Sequence, residues 1–263
     1  MVHSALLNVM IAAARKTARA LKRDFGEIEK LQVSLKGPGN YVSAADKRAE
    51  ETLYAELAKA RPGYGFIGEE GGRREGADKT HTWIVDPLDG TTNFLHGVPH
   101  FAISIALERE GALIAGVVYN PVTDEMFVAE KGKGAFLNEH RIRVGARREL
   151  KDALVGCGLP HPNRGDLPLN GREIAAMQSQ VGGLREYGAA ALDLAFVAAG
   201  RFDAYWERDL SAWDVAAGIV LVREAGGYVR DLDGGESMLD KGHIVAGNEI
   251  TQREALRVLK SAR

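Results

Sequence analysis

The chain has 263 residues, of which 45% are hydrophobic and 27% are charged, and its formal net charge is −2. This composition excludes a disordered, collagen-like or membrane-spanning chain, and the small net charge argues against direct nucleic-acid binding. The length is sufficient for one large domain or for two closely packed halves. Because Cys157 is the only cysteine, no intrachain disulfide can form, and we expect a cytoplasmic protein.

Two helices are predicted in the first 60 residues. Apolar residues at helical spacing predict an amphipathic helix from Ser4 to about Phe25. A secretory signal is not expected there, because the basic residues follow the apolar run instead of preceding it. After a turn at residues 38–40, the segment Ser43–Asp46 has the form of a capping box and predicts a second helix to about Ala60.

The next 80 residues are rich in β-branched and aromatic side chains. A short strand over residues 65–68 ends in Glu69 and Glu70, and a polar glycine-rich loop follows through Lys79. Pro87 is expected to turn the chain, and residues 90–93 to begin a helix. The other predicted strands are separated by turn signals, which indicates an antiparallel meander. They are Trp83–Val85, Phe101–Leu107, Leu113–Tyr119, Glu125–Ala129 and Ala135–Leu137.

The remaining chain alternates strands with helices. The predicted strands are Ala153–Gly156, Leu184–Tyr187, Phe202–Trp206, Tyr228–Arg230 and His243–Ala246. The predicted helices lie near Gly171–Gln180, over Ala189–Ala199 and Ala212–Ala225, and from Thr251 onward. This change of pattern predicts an N-terminal α+β half, residues 1–148, and a C-terminal α/β half, residues 149–263. No linker-like composition separates them, so we expect them to pack tightly as one unit.

Two acidic residues follow the most apolar part of the meander. Asp86 and Asp89 come directly after the strand at residues 83–85. Unpaired anions beside a buried strand are costly, and a cation is the simplest compensation. Four other acids also have structural explanations. Glu69 and Glu70 could be solvated loop residues, Asp214 could favour a helix dipole, and Asp46 could complete a capping box.

The residue types define the kind of metal. His96 and His100 are separated by Gly97 and Pro99, which makes a loop the better interpretation than a shared helical face. Oxygen ligands alone select Mg²⁺ or Mn²⁺ over Zn²⁺, and several carboxylates suggest more than one ion. Phosphatases of the haloacid dehalogenase type need Asp-x-Asp-Gly-Thr with the first Asp as nucleophile. Here Pro87 occupies that position, so water is the better candidate nucleophile.

Three segments resemble the motifs of the inositol monophosphatase family, the lithium-sensitive, magnesium-dependent phosphatases. The segments are Ile67–Glu70, Trp83–Phe94, and Trp213–Gly218 followed by Glu224–Gly227. The resemblance covers nearly the whole chain. It implies an α+β fold built as a layered α-β-α-β-α sandwich, usually as a homodimer. It also implies hydrolysis of inositol monophosphates by direct attack of a metal-activated water, with two to three Mg²⁺ ions that Mn²⁺ can replace.

The resemblance also implies roles for individual residues. Glu69, Asp86 and the Leu88 carbonyl would hold the first ion, and Asp86, Asp89 and Asp214 the second. A third, weaker site would use Glu69 with Glu70 nearby. Thr91, Glu69 and Asp46 would orient the attacking water. The N–H groups of Gly90, Thr91 and Thr92 would bind phosphate. The substrate pocket would contain Glu207, Gly188, Ala189 and Ala190.

Several alternatives stay open from the sequence. Glu207 could be a surface acid beside Arg208. Relatives that act on nucleotide phosphates often have lysine at the position of Thr92, which favours an inositol-like substrate here. Histidinol phosphate, fructose 1,6-bisphosphate and nucleotide phosphates are alternatives, as is a non-catalytic role with protein partners in transcription or ribosome assembly. Neither a nucleic acid nor a membrane is expected as a direct partner.

Overall fold

The computed structural model describes residues 3–27, 33–37, 40–160 and 165–263, of which 33–37 and 40–43 are described as backbone only. Its helices are α1 Ala5–Phe25, α2 Ala44–Ala60, α3 Thr91–Leu95, α4 Leu167–Gln178, α5 Ala190–Ala198, α6 Ala212–Glu224, α7 Met238–Lys241 and α8 Glu249–Ser261. Its strands are β1 Val33–Gly37, β2 Asn40–Ser43, β3 Gly65–Gly68, β4 Gly72–Arg74, β5 His81–Asp89, β6 Ala102–Arg109, β7 Ala112–Asn120, β8 Glu125–Glu130, β9 Gly134–Leu137, β10 His140–Ile142, β11 Leu154–Cys157, β12 Gly183–Arg185, β13 Ala204–Glu207, β14 Tyr228–Arg230 and β15 Ile244–Gly247.

The helices and two large sheets form five layers. The first sheet has the strand order β10-β9-β8-β7-β6-β5-β3-β4, in which β5 to β10 form an antiparallel meander and β3 runs parallel to β5. Helices α1 and α2 pack on one face, and α5 and α6 lie between this sheet and the second one. The second sheet has the order β12-β11-β13-β15-β14, and α4 and α8 pack together beyond it. This α+β arrangement confirms the predicted α-β-α-β-α sandwich.

Alternation along the strands of the first sheet separates two apolar cores. Trp83 and Val85 belong to the core under α1 and α2, whereas Ile84 belongs to the core shared with α5 and α6. This is the period of two that a strand imposes on its side chains. Gly116 of β7 allows α6 to approach closely, because a Cβ there would lie 2.6 Å from the Ala217 carbonyl oxygen. A third core fills the space around α4 and α8.

The predicted elements differ from the observed ones mainly at their ends. The first two helices end where predicted, and Ser4 caps α1 by accepting a hydrogen bond from Leu7 N at 3.1 Å. Helix α4 begins four residues before the prediction, where the Asp166 side chain accepts from Leu169 N. The sequence did not predict β1, β2, β4, β10 or α7. Of the predicted turn at 38–40, residues 38 and 39 lie outside the described residues.

The largest difference concerns Pro87, which was expected to turn the chain after a short strand. Instead β5 continues through it to Asp89, and the pairing with β6 shifts by one residue between Asp86 and Asp89. A β-bulge accommodates proline because one residue there makes no ladder hydrogen bond. Among the described residues, no helix has the length and apolar character needed to cross a membrane.

Candidate active site

The bulge in β5 places two buried carboxylates on one face of the sheet. Asp86 pairs with Ser104 and Asp89 pairs with Ala102, so three steps along β5 match two along β6. In a regular strand, residues three apart point to opposite faces, and the extra residue cancels that inversion. Ala102 belongs to the core shared with α5 and α6. Asp86 and Asp89 therefore both face these helices.

Both helices contribute groups to this position. The N–H of Ala191, in the first turn of α5, donates to Asp89 Oδ2 at 2.9 Å. Asp214 is the third residue of α6, and its Oδ2 accepts the Ser211 N–H at 2.7 Å in a capping box. The Ser104 hydroxyl donates to the Trp213 carbonyl and so fixes the start of α6 against β6. Asp214 does lie in the first turn of a helix, as considered from the sequence, and it also completes a capping box that the sequence analysis did not assign to it.

The second acidic group comes from α2 and the end of β3. One carboxylate oxygen from each of Asp46, Glu69 and Glu70 lies within 4.8 Å of the other two. Gly68 of β3 pairs in parallel with Val85 of β5. Because the carboxyl ends of adjacent parallel strands meet at one sheet edge, the acids after β3 lie beside those at the end of β5.

The ionisation of these carboxylates shows how closely they converge. Burial raises the pKa of Asp86 well above its ordinary value of 3.8, and four neighbouring carboxylates raise it further, those of Glu69, Asp89, Asp214 and Asp46. Burial also raises the pKa of Asp89, as does the charge of Asp214. Such a cluster cannot remain fully ionised without nearby positive charge. Its donors are all oxygen atoms, which fits a hard divalent cation.

Helix α3 begins directly beside the acids. Gly90 is its N-cap with φ +85°, a left-handed conformation that glycine adopts without strain. The first N–H groups of a helix have no intrahelical acceptor and can bind an anion. The Thr91 hydroxyl lies 2.9 Å from the Leu88 carbonyl oxygen and 3.3 Å from Asp46 Oδ2. Its single proton can serve only one of these acceptors at a time, and its lone pairs can accept from a third group.

The residues expected to form the substrate pocket also lie here. A Cβ at Gly90 would lie 3.2 Å from the Ala189 Cβ and 3.3 Å from the Gly188 oxygen, and Ala190 begins α5. Glu207 is the last residue of β13, and its carboxylate accepts a hydrogen bond from the hydroxyl group of buried Tyr205. Burial raises the pKa of Glu207 to about 8, although the hydrogen bond from Tyr205 opposes that change. Arg208 pairs with buried Glu173 at 3.0 Å and is therefore not the partner of Glu207, whose own side chain is half-buried.

The sequence alone did not indicate three groups around the site. Asn93 Nδ2 donates to the carbonyls of His100 (2.8 Å) and Tyr187 (2.7 Å), and it thereby ties α3 to the wall of the pocket. Asp193, buried one turn into α5, lies 3.7 Å from His100 Nε2. Glu50 accepts two N–H groups after β3. Only Glu50 had a local signal, because it lies four residues after Asp46 on one helical face.

Comparisons with known proteins agree with this geometry. The model of the inositol monophosphatase family matches residues 3–263. An inositol-1-monophosphatase from Mesorhizobium japonicum is 60% identical over 99% of this chain and 98% of its own length. The crystal structure of the extragenic suppressor protein suhB from Bartonella henselae superposes with a TM-score of 0.94 at 54% identity, covering 98% of this chain and 99% of that one. The Nus factor SuhB from Pseudomonas aeruginosa is 47% identical over 92% of this chain and 91% of its own. The chain therefore belongs to the inositol monophosphatase family, as the sequence motifs indicated.

Proposed function

We propose that this chain is a phosphoric monoester hydrolase that uses Mg²⁺ to convert inositol monophosphates into inositol and phosphate. The observation that carries the proposal is the pair of buried carboxylates, Asp86 and Asp89, whose pKa values are raised beside the start of α3. A site for cations would thereby lie beside a site for an anion. The name of the Mesorhizobium japonicum relative, inositol-1-monophosphatase, supports the substrate class.

The acids would divide into the ligand sets that the family resemblance implies. We assign two to three Mg²⁺ ions, replaceable by Mn²⁺, to the side chains of Glu69, Asp86, Asp89 and Asp214 and the carbonyl of Leu88, with Glu70 beside the third position. When bound, the ions would supply positive charge that offsets the carboxylate repulsion, favours deprotonation of water and stabilises the leaving oxygen. Magnesium specificity and the number of ions are part of the proposal.

The protein's own residues would position the phosphate and the nucleophile. The N–H groups of Gly90, Thr91 and Thr92 would bind phosphate oxygens at the start of α3. The Thr91 hydroxyl would donate to Asp46 and accept a hydrogen bond from the attacking water. Its 3.3 Å distance from Asp46 Oδ2 supports this arrangement. Glu69, whose carboxylate lies near that of Asp46, would accept a hydrogen bond from the other O–H group of this water.

The alcohol would be selected on the side of α5 and β13. Gly188, Ala189 and Ala190 carry no large side chain and would form the wall of the pocket on this side, where Gly188 and Ala189 approach Gly90 closely. Glu207, held by Tyr205, would form hydrogen bonds with hydroxyl groups of the substrate. The surrounding carboxylates would disfavour a second phosphate. These features favour an inositol monophosphate over a bisphosphate or a nucleotide.

A substrate panel tests this proposal. Purified protein with Mg²⁺ would be assayed for phosphate release from myo-inositol 1-phosphate, histidinol phosphate, fructose 1,6-bisphosphate and a nucleoside monophosphate. We expect the highest kcat/KM on myo-inositol 1-phosphate, and inhibition by Li⁺. Preference for another member of the panel would replace the substrate assignment. Release from none of them would contradict the proposed hydrolase activity.

The quaternary state and location are also proposals. Val98, Val122 and Tyr187 are exposed apolar residues. Asn120 Nδ2 donates to the Pro99 carbonyl, and the ring of Tyr187 lies 5.0 Å from that of His100, so these residues belong to one side of the molecule. Such a surface is suited to a homodimer contact, which sedimentation analysis would detect. The single cysteine supports a cytoplasmic location.

A further inference from the structure

Glu50 is a buried carboxylate whose two oxygens both bind the backbone that carries metal-ligand candidates. Its side chain is on α2, one turn after Asp46, and the residue is 2% exposed. Oε2 accepts the Glu70 N–H at 2.7 Å, and Oε1 accepts the Gly71 N–H at 2.7 Å. Short hydrogen bonds to a carboxylate are stronger than those between neutral groups. Two of them together fix both the orientation of the 70–71 backbone and its distance from the carboxylate.

The sequence around Glu69 and Glu70 leaves space for this contact. A Cβ at Gly68 would lie 2.4 Å from Glu50 Oε2, and a Cβ at Gly71 would lie 2.7 Å from Oε1. Only glycine avoids both collisions, so the segment Gly68-Glu69-Glu70-Gly71 is shaped to receive a carboxylate between its ends. The same helix carries Asp46, whose oxygen is grouped with those of Glu69 and Glu70.

We propose that Glu50 is a positioning residue that holds Glu69 and Glu70 in the metal-ligating arrangement before a cation binds. It acts through the backbone of the 69–71 turn and contributes no ligand atom itself. Without it, the cation would have to order this turn, and its affinity would fall. Groups that orient metal ligands typically contribute 10- to 100-fold in affinity. The inference rests on the proposed metal site but not on the proposed reaction.

The test compares Glu50→Gln with Glu51→Gln, an exposed neighbour on the same helix. Glutamine keeps the shape of Glu50 but directs an N–H group at a backbone N–H. Binding of Mn²⁺ alone would be followed by electron paramagnetic resonance, without substrate. We expect the dissociation constant of the Mn²⁺ site formed by Glu69 to rise by about 10- to 100-fold in Glu50→Gln, and to stay at the wild-type value in Glu51→Gln. Phosphate release lost at low Mg²⁺ should return at high Mg²⁺.

A second pair of variants separates position from charge and does not depend on Glu50→Gln folding. Gly71→Ala keeps the charge of Glu50, but the methyl group added at this exposed residue should displace the Glu50 carboxylate. Gly171→Ala is the control, because nothing lies near its added Cβ. Weaker Mn²⁺ binding in Gly71→Ala alone supports positioning. Unchanged Mn²⁺ binding in both Glu50→Gln and Gly71→Ala overturns the inference and leaves the metal site standing. A wild-type protein that binds no Mn²⁺ overturns the metal assignment and the inference together.

Discussion

Asp193 should make the protein less stable as the pH rises, and its replacement should remove this part of the pH dependence. Burial raises the pKa of Asp193 from 3.8 to about 6, although His100, 3.7 Å away, lowers it. Between about pH 4 and pH 6 the folded protein therefore holds a proton that the unfolded chain has released. Stability contributed by that proton is complete below about pH 4 and is lost as the pH rises through 6. A pKa difference of about 2 corresponds to about 3 kcal/mol.

The substitution Asp193→Asn removes this charge while keeping the shape of the side chain. We expect the free energy of unfolding of the metal-free variant to exceed that of the wild type by up to about 3 kcal/mol at pH 8. At pH 4 the two free energies of unfolding should be nearly equal. Urea denaturation in the presence of a chelator measures both values. Asp240→Asn, at an exposed position in α7, is the control and should change stability by less than about 0.5 kcal/mol. A loss of stability at pH 8, or an equal gain at both pH values, would refute the reasoning.

Three further substitutions test the active site. Asp89→Asn should reduce kcat by orders of magnitude yet raise the melting temperature of the metal-free protein, because it relieves repulsion from Asp214. A variant with near-normal turnover would make Asp89 structural. Thr91→Ala should lower kcat about 10²- to 10³-fold through poor water orientation, with KM little changed, whereas Thr92→Ala keeps its N–H and should stay near wild type in steady-state kinetics. Equal kinetics for the two would remove the hydroxyl from the mechanism. Glu207→Gln should reduce kcat/KM more for myo-inositol 1-phosphate than for an aryl phosphate, and an equal loss would place it outside recognition.

Local signals in the sequence were sufficient for most helices and strands. The hydroxyl cap at Ser4 and the helical spacing of apolar residues defined α1, and turn residues separated the strands of the meander. The path of β5 through Pro87 was not predictable in this way. A proline in a strand is compatible with a bulge, but the bulge is defined by the register with β6. Strands β4 and β10 have three residues each, too few to show a period of two.

The residues of the candidate site also differ in how far the sequence alone could identify them. The acids at positions 86 and 89 were identifiable because they follow a strongly apolar strand, and the family resemblance added the roles proposed for Thr91 and Asp214. Glu50 was missed because the backbone N–H groups that donate to it lie twenty and twenty-one residues away in the chain. The partnership of Asp193 with His100 joins two elements far apart in sequence. Such contacts exist only once the layers have packed.

We propose that the carboxylates beside α3 bind Mg²⁺ for phosphate ester hydrolysis. The most direct measurement is phosphate release from myo-inositol 1-phosphate by protein stripped of metal with a chelator and then titrated with Mg²⁺. We expect no release before Mg²⁺ is added, a saturable recovery as it is added, and no recovery in Asp89→Asn at the Mg²⁺ concentration that saturates the wild type. Full activity in the stripped protein, or full recovery in Asp89→Asn, would contradict it.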